Sequence, residues 1–135
     1  MVVSAAGKTT NRLIQLVELA EAGDEAAGEA ITALHAYQQS LIDGLLEGEL
    51  LLDLSQQLTD DMQQIAKTLE GQFDRFERNG LLAFGEVWSA RLLAALLTSR
   101  GDKAIWLDAR SFLRAEDGAL VKVDAAISGE LLKAR

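Results

Sequence analysis

The chain has 135 residues, a formal net charge of −8 and neither cysteine nor proline. That length makes one domain with a real core, but not two. The acidic balance argues against a nucleic-acid partner, because neutralising phosphates takes clustered Lys and Arg. The lack of cysteine excludes disulfides, a thiolate nucleophile and a sulfur-built zinc site, and fits a cytoplasmic protein. No apolar run is read as approaching the ~20 residues of a membrane span, so no membrane partner is expected.

Met1 to Ala5 is apolar without alternation, as in a parallel strand covered on both faces. Thr9 or Thr10 is expected to cap a first helix whose buried side is Leu13, Ile14, Leu16, Val17 and Ala20. Gly23-Asp24 ends it. A second helix carries Ile31, Leu34, Gln38, Leu41, Ile42 and Leu45 at three- and four-residue spacing, with a break near Glu47 to Glu49. A third shows the clearest stripe: Leu51, Leu54, Leu58, Met62, Ile65, Leu69 and Phe73, with Phe76 one turn on. Its opposite face, including Asp60 and Asp61, is read as solvated, and Asn79-Gly80 as its stop. The fourth helix, roughly Leu81 to Ser99, has hardly any polar face and is expected to be buried on most sides. Gly101 ends it, Ala104 to Asp108 reads as a second strand, and Asp117-Gly118 as a hairpin turn. Asp124 caps a last helix running to Lys133.

Val2-Val3-Ser4-Ala5-Ala6-Gly7-Lys8-Thr9-Thr10-Asn11 compresses a strand, a small-residue turn and a helix start into ten residues. Such a junction aims N–H groups and hydroxyls at one point, where an anionic group can sit. It is not a nucleotide phosphate loop of the GxxxxGK type, since Val2 occupies the place of the first glycine. Two short strands joined by a long helical crossover also make only a marginal sheet. Part of the sheet is therefore expected from elsewhere, and a chain that begins at a strand reads as a piece of a longer protein.

The same run resembles the second-strand motif of aspartokinases, in the amino-acid kinase family. Phe84-Gly85-Glu86-Val87-Trp88-Ser89-Ala90-Arg91 resembles that family's Gly-Glu segment. Ala104-Ile105-Trp106-Leu107-Asp108-Ala109-Arg110 and Phe112-Leu113-Arg114-Ala115-Glu116 continue the likeness in the family's order. The strings are most similar to the methionine-linked branch of gamma-proteobacteria, in which aspartokinase is fused to homoserine dehydrogenase. The long middle, from about Glu18 to Asn79, carries little of this signature. One departure is Phe84, where many members carry histidine.

The resemblance implies an α/β fold: a helix-rich fragment of the amino-acid kinase (carbamate-kinase-like) αβα sandwich, mainly α-helical with two or more short strands. Residues 1–135 would be a partial aspartokinase catalytic domain. The family's upstream lysine-glycine motif and its downstream glycine-rich nucleotide-binding part do not occur in it. The parent would phosphorylate the β-carboxylate of L-aspartate with ATP and Mg²⁺, and a fused dehydrogenase would use NADP(H). The fragment itself is expected to be inactive, to bind none of these cofactors, and to self-associate as a homo-oligomer.

By position in the motifs, Ser4, Thr10 and Glu86 would hold aspartate. The hydroxyls would bind its carboxylates, and Glu86, at a buried site, would pair with its α-ammonium. Gly7 and Lys8 are candidate phosphate or anion contacts, and no metal ligands are assigned. The residues alone also allow plainer readings. Ser4 and Thr10 would be a strand end and a helix cap, Lys8 a solvated turn residue, and Glu86 a structural partner of Arg91 or Lys103. His35 reads as a surface residue, Trp88 and Trp106 as core, and Asp108 with Arg110 as a local ion pair. The alternative function is a non-catalytic acidic helical interaction module.

Overall fold

A computed structural model describes residues 1–116 and 122–134. The chain divides into two compact units, Met1–Ile105 and Trp106–Arg135.

The first unit is entirely helical in its regular structure: α1 Thr9–Glu21, α2 Ala26–Leu45, α3 Gly48–Leu69, α4 Arg75–Leu82 and α5 Phe84–Ser99. The apolar spacing explains the first three. Leu13, Leu16 and Val17 of α1, Leu34 and Ile42 of α2, and Leu54, Leu58, Met62 and Ile65 of α3 are buried in one core. Each set recurs at three or four residues, which places it on one side of its helix. Leu46, Leu81, Phe84 and Trp88 complete that core, and the Phe84 and Trp88 rings stack with centroids 5.6 Å apart.

Several expectations are corrected. The third stripe does not run on through Phe76. α3 stops at Leu69, and a capping box opens α4, with Asp74 accepting from the Glu77 N–H while Glu77 accepts from the Asp74 N–H. Such a box satisfies two donors that a helix start leaves open. Asn79-Gly80 is therefore inside α4 rather than a stop, and Phe76 is exposed. The fourth apolar helix is buried only near its start, at Phe84, Gly85, Val87 and Trp88; Leu92, Leu93, Leu96 and Leu97 are half-buried. By length and composition alone Arg75–Ser99 is apolar enough to cross a bilayer, so the reading that no such run exists does not stand. Here that stretch is broken into two helices at Ala83 and contributes Leu81, Phe84 and Trp88 to the core.

Neither Met1 to Ala5 nor Ala104 to Asp108 is a strand. A strand exists through its ladder, and among the described residues neither segment has a ladder partner. The helix-rich part of the expected fold is present, and among the described residues these two expected strands are not.

In the second unit Ala115–Glu116 (β1) pairs antiparallel with Lys122–Val123 (β2), in register Ala115 to Val123 and Glu116 to Lys122. The turn expected at Asp117-Gly118 lies outside the described residues. Asp124 caps α6, Ala125–Lys133, by accepting from the Ile127 N–H. Asp108 grips the Arg110 guanidinium through both carboxylate oxygens and caps a short 3₁₀ turn at Ala109–Ser111.

Candidate functional site

The turn that precedes α1 is built from three sides. From within, the Ala6 carbonyl accepts from both the Thr9 N–H (3.1 Å) and the Thr9 Oγ1 (2.7 Å). From α2, Gln38 Nε2 donates to the same Thr9 Oγ1 at 2.7 Å. From α5, Gly85 lies so close that a Cβ on it would stand 2.8 Å from the Ala5 Cβ and 3.3 Å from Thr9 Cγ2. Only a residue without a side chain permits that approach. Gly7 is required for a different reason: its φ is +55°, in the left-handed region that favours glycine, and the Tyr37 hydroxyl lies against it. The Tyr37 ring in turn stacks under the Arg12 guanidinium, 4.3 Å from its centroid.

These contacts fix the neighbours of the predicted site residues. Ser4 adjoins Ala5, Thr10 adjoins Thr9 and Glu86 adjoins Gly85, so the chain segments bearing all three meet at one packed junction. Ser4 and Glu86 are exposed and Thr10 is half-buried. The expected buried carboxylate is therefore corrected: Glu86 sits in the first turn of α5, exposed, where the helix dipole favours a negative charge. The expected threonine cap is corrected as well. The cap position is Lys8, with no side-chain cap bond, and the Thr9 hydroxyl turns inward. Gly7 and Lys8 are exposed at the turn. A helix start leaves first-turn N–H groups without partners inside the helix. The Thr9 N–H is taken by Ala6 and that of Arg12 by Lys8, and among the described residues the Thr10 and Asn11 N–H groups have no backbone acceptor.

Behind the junction, Asp61 is buried and forms an ion pair with Arg91 while accepting from Trp88 Nε1 at 2.9 Å. This corrects the reading of Asp61 as solvated and gives Arg91 a structural partner on α3. Asp60 keeps the exposed side and accepts from Gln56. Phe84, the departure from the family pattern, points into the core against Trp88 rather than to a polar rim. His35 is half-buried, not a surface side chain. Among the described residues no group of three or more His, Asp or Glu side chains is placed to hold a metal ion.

Gln38 and Thr9 carry most of this architecture; Thr9 was misjudged from sequence as a possible cap, whereas Gln38 was placed in the right stripe but with no partner assigned. The signal was present, since Gln38 sits within an apolar stripe, four residues from Leu34 and from Ile42. A polar residue there needs a buried partner.

The profile of the amino acid kinase family matches residues 1–135. The chain belongs to the amino acid kinase family. It is 41% identical over 133 residues to the bifunctional aspartokinase/homoserine dehydrogenase 2 of Escherichia coli K12, covering 98% of this chain and 16% of that protein. To the chloroplastic bifunctional aspartokinase/homoserine dehydrogenase 1 of Arabidopsis thaliana it is 29% identical, over 84% of this chain and 13% of the relative. To the chloroplastic bifunctional aspartokinase/homoserine dehydrogenase 2 of Zea mays it is 26% identical, over 92% of this chain and 14% of the relative. This amino acid kinase segment thus spans about a seventh of the length of the curated relatives it matches. No solved structure matches it.

Proposed function

We propose that residues 1–135 supply part of the aspartate-binding wall of an aspartokinase, fused in the complete protein to a homoserine dehydrogenase. The observation that carries this reading is the 41% identity, over nearly the whole chain, to a protein of that name. The junction of Gly85 with Ala5 and Thr9 supports it, since it brings the segments of Ser4, Thr10 and Glu86 to one place.

The reaction is transfer of the ATP γ-phosphoryl group to the β-carboxylate of L-aspartate, giving an acyl phosphate and ADP, at the head of the route to methionine, threonine and lysine. Phosphoryl transfer needs little covalent help; it needs the acceptor held in line and the charge neutralised. Glu86 holds the α-ammonium. The Ser4 and Thr10 hydroxyls, with the first-turn N–H groups of α1, hold carboxylate oxygens. Lys8 and Gly7 present a cation and bare backbone to an anionic group at the same turn. The described residues offer no acidic cluster for Mg²⁺, and residues 1–135 lack the family's glycine-rich nucleotide motif. Nucleotide, Mg²⁺ and the NADP(H) of the dehydrogenase are accordingly assigned to the rest of the protein, and no step is derived through them. The αβα sandwich is likewise completed there, and the isolated chain is inactive. Exposed Val2, Leu52, Phe76 and Ile105 favour self-association into a homo-oligomer.

The test is steady-state kinetics of the complete enzyme carrying Glu86→Gln. Loss of the ion pair to the α-ammonium should raise the aspartate KM about tenfold or more while the ATP KM stays within about twofold. An unchanged aspartate KM contradicts the assignment. So does measurable ATP-dependent phosphorylation of aspartate by the 135-residue chain alone.

A further inference from the structure

We infer that Gln38 and Thr9 are positioning residues for aspartate, acting through the turn rather than by touching the substrate; this rests on the aspartokinase reading above. Thr9 is fully buried and Gln38 is 5% exposed, so their bond is shielded from water. The direction of that bond follows from the chemistry. The one hydrogen of the Thr9 hydroxyl is spent on the Ala6 carbonyl at 2.7 Å, so Gln38 must present its amide N–H₂, and it does, also at 2.7 Å. The hydroxyl thus works as a relay: Gln38 on α2 holds Thr9, and Thr9 holds the Ala6 carbonyl that closes the turn.

Two features make this more than core packing. Thr9 lies between Lys8 and Thr10 in sequence, so any shift of its backbone moves the Thr10 hydroxyl and the first-turn N–H groups with it. Beside it, Gly85 abuts Thr9 Cγ2 and Ala5, leaving the turn no slack toward α5. A chain threaded between a hydrogen bond on one side and a methyl contact on the other has one position. Loss of that bond leaves the Ala6 carbonyl its bond from the Thr9 N–H but severs the tie from α2, and the turn relaxes away from the geometry that receives the substrate carboxylates.

The experiment compares Gln38→Met, Thr9→Val and Thr9→Ser in the complete enzyme, with Ser4→Ala as the reference for direct contact. Methionine keeps the bulk of Gln38 without the donor, and valine is close to isosteric with threonine without the hydroxyl. Either one breaks the relay, so one soluble variant of the two suffices; Gln38→Asn, too short to reach, serves if neither is soluble. The expected result is an aspartate KM raised about fivefold to tenfold in the broken variants, the size of one lost buried hydrogen bond. The ATP KM should stay within about twofold, and Thr9→Ser, which keeps the hydroxyl but gives up the methyl contact with Gly85, should raise the aspartate KM less than Thr9→Val does. A merely structural role predicts instead a lowered melting temperature or fewer active molecules with the aspartate KM unchanged. That outcome, with Ser4→Ala still raising the aspartate KM, overturns the inference. If Ser4→Ala and Glu86→Gln also leave that KM unchanged, it is the aspartokinase site assignment that fails.

Discussion

Replacing Gly85 with alanine puts a methyl group 2.8 Å from the Ala5 Cβ, 3.3 Å from Thr9 Cγ2 and 3.6 Å from Leu13 Cδ1. Carbon atoms pack comfortably at about 3.5–4 Å, so the first contact is too short by roughly 1 Å. The neighbour is a Cβ fixed to its backbone, not the free end of a long side chain. Either the turn or the start of α5 has to move. Overpacking of this kind costs about 1–3 kcal/mol. Alanine returns at most about 1 kcal/mol of helix propensity, and less in a first turn. The net expectation is a loss of about 1–2 kcal/mol. Gly44→Ala is the control: it sits near the end of α2 with nothing within 4 Å of a built Cβ, and the same chemistry should there be neutral or stabilising by about 0.5 kcal/mol. Urea unfolding of both variants, followed by far-UV circular dichroism, reads the two numbers. In the complete enzyme Gly85→Ala should also raise the aspartate KM, because the displaced segments carry Ser4, Thr10 and Glu86. A Gly85→Ala protein as stable as Gly44→Ala, with wild-type aspartate KM, would refute the close junction and the argument built on it.

Asp61→Ala removes the acceptor of Trp88 Nε1 and the carboxylate partner of Arg91, both largely buried. A loss of about 2–4 kcal/mol is expected, with a change in tryptophan emission as Trp88 loses its bond; a loss below about 0.5 kcal/mol would mean the pair is spectator to the fold. Asp74→Ala breaks the capping box of α4 and should cost about 1 kcal/mol. Faster amide exchange should appear at Glu77, the donor to that cap, and exchange as slow as in the parent chain would show the cap to be idle. Sedimentation of the 135-residue chain should show a dimer or larger species, and a clean monomer at high concentration would count against self-association.

The first three helices were legible because Leu13, Leu16 and Val17, Leu34 and Ile42, and Leu54, Leu58, Met62 and Ile65 keep a helical period and meet in one core. The same rule misled at Phe73 and Phe76. Apolar spacing carried on across the end of α3, while the real boundary was written in polar residues, Asp74 and Glu77. Asp60 and Asp61 looked like one solvated pair. A helix turns about 100° per residue, which is enough to leave one in water and bring the other to Arg91 and Trp88. The strands were misjudged for a different reason. An apolar run encodes the capacity to pair, and the partner is not in the run. For the candidate site, the residue types came from a likeness to aspartokinases, whereas the means of bringing them together did not. That depends on the bare α-carbon of Gly85 and on the relay from Gln38 through Thr9, contacts across 76 and 29 positions of sequence that no local pattern encodes.

The most direct test is a crystal structure of the complete enzyme with L-aspartate bound. The account predicts one aspartate at the junction of the α1 turn and the start of α5, its α-ammonium on the Glu86 carboxylate and its carboxylate oxygens within hydrogen-bonding distance of Ser4 Oγ and Thr10 Oγ1. Aspartate seated elsewhere, touching none of those three side chains, would contradict it.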